Sequence, residues 1–296
     1  MRRWRVGDAE IIRIVEMYDF QDDVWVLLKD ATPELTLSYD WLKPHFITPD
    51  GRMRMNFQAF LVISQGKRIM VDTCIGNDRK REYDVFSNLQ TSFLEDIAAA
   101  GCPPESIDTV LCTHLHLDHC GWNTRREGDR WVPTFPNARY LFDQGELEFW
   151  QKKRDAGEAH MEHVDDAIQP IVDAGLVDFI TPGHRITDEV RLIPTPGHTS
   201  GHVSVHISSG GQDAVITGDV VHHPVQFAVP DWENNFDFDK DAGARQRRRF
   251  FGLYADQPAL VIGSHFAEPG AGRIVSDGDA WRLTVDEGYA QAAARR

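Results

Sequence analysis

Thr113-His114-Leu115-His116-Leu117-Asp118-His119-Cys120-Gly121 is the stretch on which the reading turns, because four potential metal ligands fall within six residues. In an extended chain His114, His116 and Asp118 project from one face by the period of two, while His119 points elsewhere. A loop past a strand end can aim such groups at two neighbouring metals. Ile107 to Cys112, just upstream, is a short apolar run and reads as a buried strand that delivers the chain to His114.

Three further groups of the same kind follow, each in a glycine-marked turn after a strand signal. Val190 to Ile193 leads toward Pro196-Gly197-His198, Ala214 to Thr217 into Gly218-Asp219, and Ala259 to Ile262 into Gly263-Ser264-His265. Five imidazoles and two carboxylates suit borderline divalent ions such as zinc, with manganese, iron or cobalt admissible from ligand type alone. Upstream, Phe57 to Ser64 and Lys67 to Thr73 flank Gln65-Gly66 and read as a hairpin. Leu89, Phe93, Leu94 and Ile97 recur at helical spacing within Ser87 to Ala100. Gln144 to Arg154, His160 to Asp173 and Asp239 to Tyr254 carry further helical signals, and His202 to Ile207 another strand. Strands interleaved with helices imply an α/β fold.

No short-period repeat or low-complexity linker divides the 296 residues, so a single domain over 1–296 is expected. The segment 1–56, with Trp25, Trp41 and Phe46, is a candidate cover for the active site or a dimer contact, and a homodimer is therefore a candidate state. The formal net charge of -15 repels polyphosphate backbones, which argues against nucleic acid as a partner. Arg245, Arg247, Arg248 and Arg249 spread around a helix axis and read as a solvated helix face. No apolar run reaches the roughly 20 residues that span a bilayer, and the first residues lack a signal-peptide core, so no membrane partner and a cytoplasmic location are expected. Cys74, Cys102, Cys112 and Cys120 form no CxxC pair and read as free thiols.

The pattern HxHxDH at 114–119, followed by His198, Asp219 and His265, resembles the ligand set of metallo-β-lactamase-fold hydrolases. Val71-Asp72-Thr73 and Thr195-Pro196-Gly197-His198-Thr199-Ser200-Gly201-His202 resemble the same superfamily, so the likeness extends over most of the chain. It implies a four-layer αββα sandwich with two metal ions. His114, His116 and His198 would take the first, Asp118, His119 and His265 the second, and Asp219 would bridge them. Two cations about 3.5–4 Å apart lower the pKa of a shared water toward neutrality, so hydroxide is the expected nucleophile. Asp118 is then a catalytic candidate that orients the water or moves its proton. Asp72 reads as a hydrogen-bond partner of the ligands.

Substrate choice lies outside the ligand set, because one dimetal centre serves many hydrolyses. His222 stands where the N-acyl homoserine lactone lactonases of this superfamily carry a substrate-contacting tyrosine, and it is a candidate either for substrate contact or for a structural hydrogen bond. Gly218-Asp219-Val220-Val221-His222-His223-Pro224-Val225-Gln226-Phe227 and Ser264-His265-Phe266-Ala267-Glu268-Pro269-Gly270 resemble the methyl parathion hydrolase branch. The expected substrate is a small neutral lactone or ester. The alternatives are a phosphotriesterase or arylesterase of methyl parathion hydrolase type, and a mononuclear iron sulfur dioxygenase. Cys120 reads as a small packing residue. Trp41, Phe46, Trp122, Trp131 and Phe227 are candidates for an apolar pocket or for ordinary core.

Overall fold

Two mixed or antiparallel sheets, each backed by its own apolar core, carry the chain in a computed structural model that describes residues 1–181 and 183–285. Two compact units result. The first comprises Met1–Glu16 and Phe57–Thr187; the second comprises Met17–Asn56 and the chain from Asp188 onward.

The first unit contains β1 (Arg2–Val6), β2 (Ala9–Asp22), β3 (Met53–Ser64), β4 (Lys67–Val71), β5 (Thr109–Leu111), the hairpin β6 (Thr124–Glu127) and β7 (Arg130–Pro133), β8 (Arg139–Phe142) and β9 (Val177–Phe179). The unit boundaries fall inside β2 and β3. Its sheet has the order β1-β2-β3-β4-β5-β8-β9. Alternation sets which side of each strand is apolar, and Ile12, Ile14, Leu61, Met70 and Val110 are fully buried with Phe93, Ile97 and Phe142. From β4 onward the pairs are parallel, with Val71 opposite Leu111 and Leu111 opposite Leu141. The residues that leave the C-terminal ends of these strands therefore emerge side by side: Asp72 after β4, Thr113 and His114 after β5, Asp143 after β8. This is the place where parallel sheets present functional groups.

The second unit contains β10 (Val190–Pro194), β11 (Val203–Ser209), β12 (Gln212–Ile216), β13 (Leu260–Ile262), β14 (Ala271–Asp277) and β15 (Ala280–Thr284), in sequential order. The same logic operates here. β12 and β13 are parallel with Ile216 opposite Ile262, so the turns ending in Asp219 and His265 leave adjacent strand ends. β10 and β11 are antiparallel with Pro194 opposite Val203, which brings Thr195 beside His202. Helix Lys240–Tyr254 starts where the Asp239 carboxylate accepts the Ala242 N–H at 2.9 Å. It buries Phe250, Phe251 and Tyr254 in a core with Phe46, Phe227, Val261 and Phe266.

Several expectations need correction. Only Phe93–Ala99 of the span 87–100 is α-helical, because Asp84–Phe86 is a separate 3-10 turn and Asn88 takes a positive φ of 52°. Within 160–173, Val164–Ile168 form a π-turn before the short helix Gln169–Asp173. The arginine cluster is not a uniform solvated face: Arg245, Arg248 and Arg249 are exposed, whereas Arg247 is buried against Asp237. Of the five aromatic residues read as pocket lining or ordinary core, Phe46, Trp122 and Phe227 are core, which agrees with the second alternative. Trp122 stacks on Phe93 and donates to Glu16 Oε1 at 2.6 Å. Among the described residues no helix is long and apolar enough to cross a membrane.

Two measurements test this packing. A Cβ on Gly121 would lie 1.9 Å from the Ile75 carbonyl oxygen, whereas one on Gly252 in helix Lys240–Tyr254 meets nothing within 4 Å. Gly121→Ala should cost about 1–3 kcal/mol, and Gly252→Ala should gain roughly 0.5–1 kcal/mol, both read from urea midpoints. Burial also pulls the pKa of His163 down to about 3 and that of His223 to about 4. Both stay neutral in the folded protein while the unfolded chain protonates near pH 6.5, so their contribution is full above pH 6.5 and is lost as pH falls toward 4. His163→Phe should flatten the decline of the urea midpoint between pH 7 and pH 4.5.

Candidate metal centre

Residues 113–119 are held at the end of β5 mainly by carboxylates. Asp72, in the left-handed region at φ 59°, accepts the Thr113 N–H at 2.7 Å through Oδ1, and Thr113 Oγ1–H at 3.0 Å and His119 Nδ1–H at 2.9 Å through Oδ2. Thr113 Oγ1, its own proton spent on Asp72, accepts from His114 Nδ1 at 3.1 Å. Glu146, buried at the start of helix Gln144–Asp155, accepts the Leu115 N–H at 2.6 Å. Beyond the motif, Arg79 donates to the carbonyls of Gly121 and Thr124 and pairs with Asp166 at 2.6 Å. Arg81 pairs with the same carboxylate at 2.7 Å. The first unit thus gathers the whole HxHxDH set: His114 Nε2 lies 3.0 Å from His116 Nδ1, and the His114 and His119 rings are 4.1 Å apart.

The second unit gathers His198, Asp219 and His265. His198 Nε2 stands 3.6 Å from Asp219 Oδ2, and His265 Nε2 3.2 Å from Asp219 Oδ1. The far sides of both rings are engaged. His198 Nδ1 meets Asp237 Oδ1 at 3.2 Å, and His265 Nδ1 donates to the Asn56 carbonyl at 3.0 Å. Asp237 Oδ2 in turn accepts from Arg247 Nη1 at 2.5 Å. Asp219 is fixed at its backbone, where its N–H donates to His202 Nε2 at 2.7 Å. His202 Nδ1–H therefore donates to Thr195 Oγ1 at 2.8 Å. That double engagement agrees with a non-ligand role for His202. Gln226 Oε1 accepts the backbone N–H groups of both His222 and His223, shaping the turn after Asp219. His222 Nε2 lies 3.1 Å from Asp219 Oδ2.

The positions of the ring protons decide what these groups can hold. At His119, His198 and His265 the partner of Nδ1 is a carboxylate or carbonyl oxygen, which can only accept, so the proton sits at Nδ1. The Nε2 lone pairs then face oxygens of Asp118, at 3.6 Å, and of Asp219. Lone pair against carboxylate oxygen in buried surroundings is an arrangement that calls for a cation between or beside them. The donor set fits borderline divalent metals in type, buried position and ring orientation.

The metallo-beta-lactamase superfamily model matches residues 58–265, and the chain belongs to that superfamily. Among curated proteins it is similar to an N-acyl homoserine lactonase of Bacillus cereus, 22% identical over a 175-residue alignment that covers 55% of this chain. The match spans 62% of that relative's length. Among solved structures it is similar to AidC, a dizinc quorum-quenching lactonase, with a TM-score of 0.78 and 24% identity over 96% of this chain and 97% of that one. It is also similar to the hydrolase AbOPH, with a TM-score of 0.77 and 26% identity over 96% and 97% of the two chains. The fold is therefore the metallo-β-lactamase fold, α/β in class as the sequence implied.

Sequence reasoning missed Glu146, Asn234 and Asp237. Each is distant in sequence from the loop it supports and stands in no motif. Cys120 is, as expected, a fully buried packing residue, and burial pushes its thiol up and away from reactivity. Removing the negative charge that holds His119 and Thr113 should loosen the site without unfolding it. Asp72→Asn is expected to weaken zinc retention about 10- to 100-fold in competition with a chromophoric chelator. Unchanged retention would mean that Asp72 does not govern the His119 ring.

Proposed function

We propose that this protein is a dinuclear metal-dependent hydrolase of small neutral lactones or esters, with both units acting as one metallo-β-lactamase domain. The observation that carries it is the set of inward-facing Nε2 lone pairs at His119, His198 and His265, each backed by an oxygen acceptor at Nδ1. His114, His116 and His198, with Asp219, would hold one ion, and Asp118, His119 and His265 the other. When bound, such a pair of divalent ions, zinc in our reading, supplies a nucleophilic hydroxide near neutral pH and polarises the carbonyl under attack.

The chain's own residues supply orientation and proton handling. Asp118 is the more open of the two carboxylates, with 18% of its side chain exposed against 4% for Asp219. In this reading Asp118 orients the attacking water and carries a proton to the leaving alkoxide. His222, beside Asp219, is the other functional candidate in our assignment. The names of the relatives favour a lactone: both the Bacillus cereus protein and AidC are lactonases. A phosphotriesterase or arylesterase is the second reading, favoured by histidine rather than tyrosine at position 222. The four buried free cysteines fit a reducing compartment such as the cytoplasm.

Zinc-reconstituted protein should open an N-acyl homoserine lactone or dihydrocoumarin faster than it hydrolyses an aryl acetate, a thioester, nitrocefin or paraoxon. Asp118→Asn should lower the favoured rate by about 10²–10⁴-fold, and chelation should abolish it. Preference for paraoxon or the aryl acetate would move the protein to the second reading. Oxygen consumption by an iron-loaded form, with the panel silent, would make it a dioxygenase.

A further inference from the structure

Within the second unit His198, His222 and His265 approach the Asp219 carboxylate, and one of them differs in chemistry. His198 and His265 carry their protons at Nδ1 and turn lone pairs inward. His222 is the reverse, and the reason is a buried amide. The Phe236 N–H donates to Asn234 Oδ1 at 3.0 Å, which fixes which end of the Asn234 side chain is oxygen. The amide nitrogen then donates in two directions, to Asp237 Oδ1 at 3.2 Å and to His222 Nδ1 at 3.2 Å. With Nδ1 accepting, the proton of the neutral His222 ring resides on Nε2, the atom 3.1 Å from Asp219 Oδ2.

Rigid surroundings keep this amide in place. Asn234 is 0% exposed, its carbonyl accepts from Lys240 Nζ at 2.7 Å, and the Asp237 N–H returns to the same carbonyl at 3.2 Å. Asp237 occupies a slot that exists because residue 243 is glycine: a Cβ there would lie 2.1 Å from Asp237 Oδ2. Arg247, which donates to that same oxygen, also donates to the Pro230 carbonyl at 3.1 Å. One amide therefore touches both the carboxylate that orients His198 and the ring that touches Asp219.

We infer that Asn234 is a positioning residue that keeps the proton of His222 on Nε2, so that His222 turns an N–H rather than a lone pair toward Asp219 and is not itself a metal ligand. The inference rests on the reading of Asp219 as a ligand, but its test does not depend on any substrate. The positive end of the Nε2–H dipole then faces the Asp219 carboxylate, while Asp237, tied to the same amide, orients His198. Replacing the amide by a group that only accepts reverses the tautomer and turns a lone pair of His222 toward Asp219.

The experiment is long-range ¹H–¹⁵N correlation NMR of the histidine rings in the metal-free full-length protein, with His222 assigned by its disappearance in His222→Gln. Wild type should give the Nε2–H form of His222, Asn234→Asp the Nδ1–H form, and Asn234→Ala a mixture. A zinc titration of His222→Gln should still reach two equivalents, and Asn234→Ala should lose zinc to a chelator about tenfold more readily. An Nδ1–H ring in the wild type overturns the inference, as does loss of one zinc equivalent in His222→Gln. If Asn234→Asp does not fold, the wild-type and Asn234→Ala spectra decide the matter alone. A substrate panel that stays silent while the wild-type ring is Nε2–H removes the proposed function and leaves this assignment standing.

Discussion

Hydrogen bonds to the outward nitrogens of His119, His198 and His265 are the constraint from which the chemistry proposed for the site follows. An imidazole can direct a lone pair at only one nitrogen if the other is committed as a donor. Asp72, Asp237 and the Asn56 carbonyl make that commitment for His119, His198 and His265. The consequence is a buried set of electron pairs facing carboxylate oxygens, unfavourable by itself and compensated by divalent cations. His222, held through Asn234, obeys the same rule with the opposite result.

Placing Asp72, His114, Asp219 and His265 is the work of parallel strand pairs. β4, β5 and β8 end side by side in one sheet and β12 and β13 in the other, so groups far apart in sequence leave adjacent strand ends. The turns that follow are locked by charge rather than by length. Arg79 and Arg81 share Asp166 behind the HxHxDH loop, with the Arg79 guanidinium 4.2 Å from the Trp131 ring centroid. Glu16 accepts from the backbone of Ile75 and Gly76 and from Trp122 and Thr91. Burial raises the Glu16 carboxyl above its ordinary range while these hydrogen bonds act in the opposite sense. These buried polar contacts anchor the loop at a cost in desolvation that the apolar cores offset.

Much of the scaffold was legible because periodicity reports burial. β3 and β4, β5, β10 to β13 and the helices Gln144–Asp155 and Lys240–Tyr254 follow patterns of apolar residues that local sequence carries. β1 and β2 were not legible although Glu10-Ile11-Ile12-Arg13-Ile14-Val15-Glu16 is rich in β-branched residues, because the run lacks the strict alternation that marks a half-buried strand. Arg247 was misjudged because a helical position says which residues share a face, not whether another loop brings a carboxylate to meet one of them.

Sequence alone determined the kind of site: seven ligand-type residues at strand ends, in an order and spacing that specify the superfamily and the metal chemistry. It could do so because those residues sit in short contiguous motifs. Tertiary structure alone decided which nitrogen of each ring carries the proton. That choice is made by partners remote in the chain, Asn56 for His265, Asp237 for His198 and Asn234 for His222, and only folding brings them within hydrogen-bonding distance.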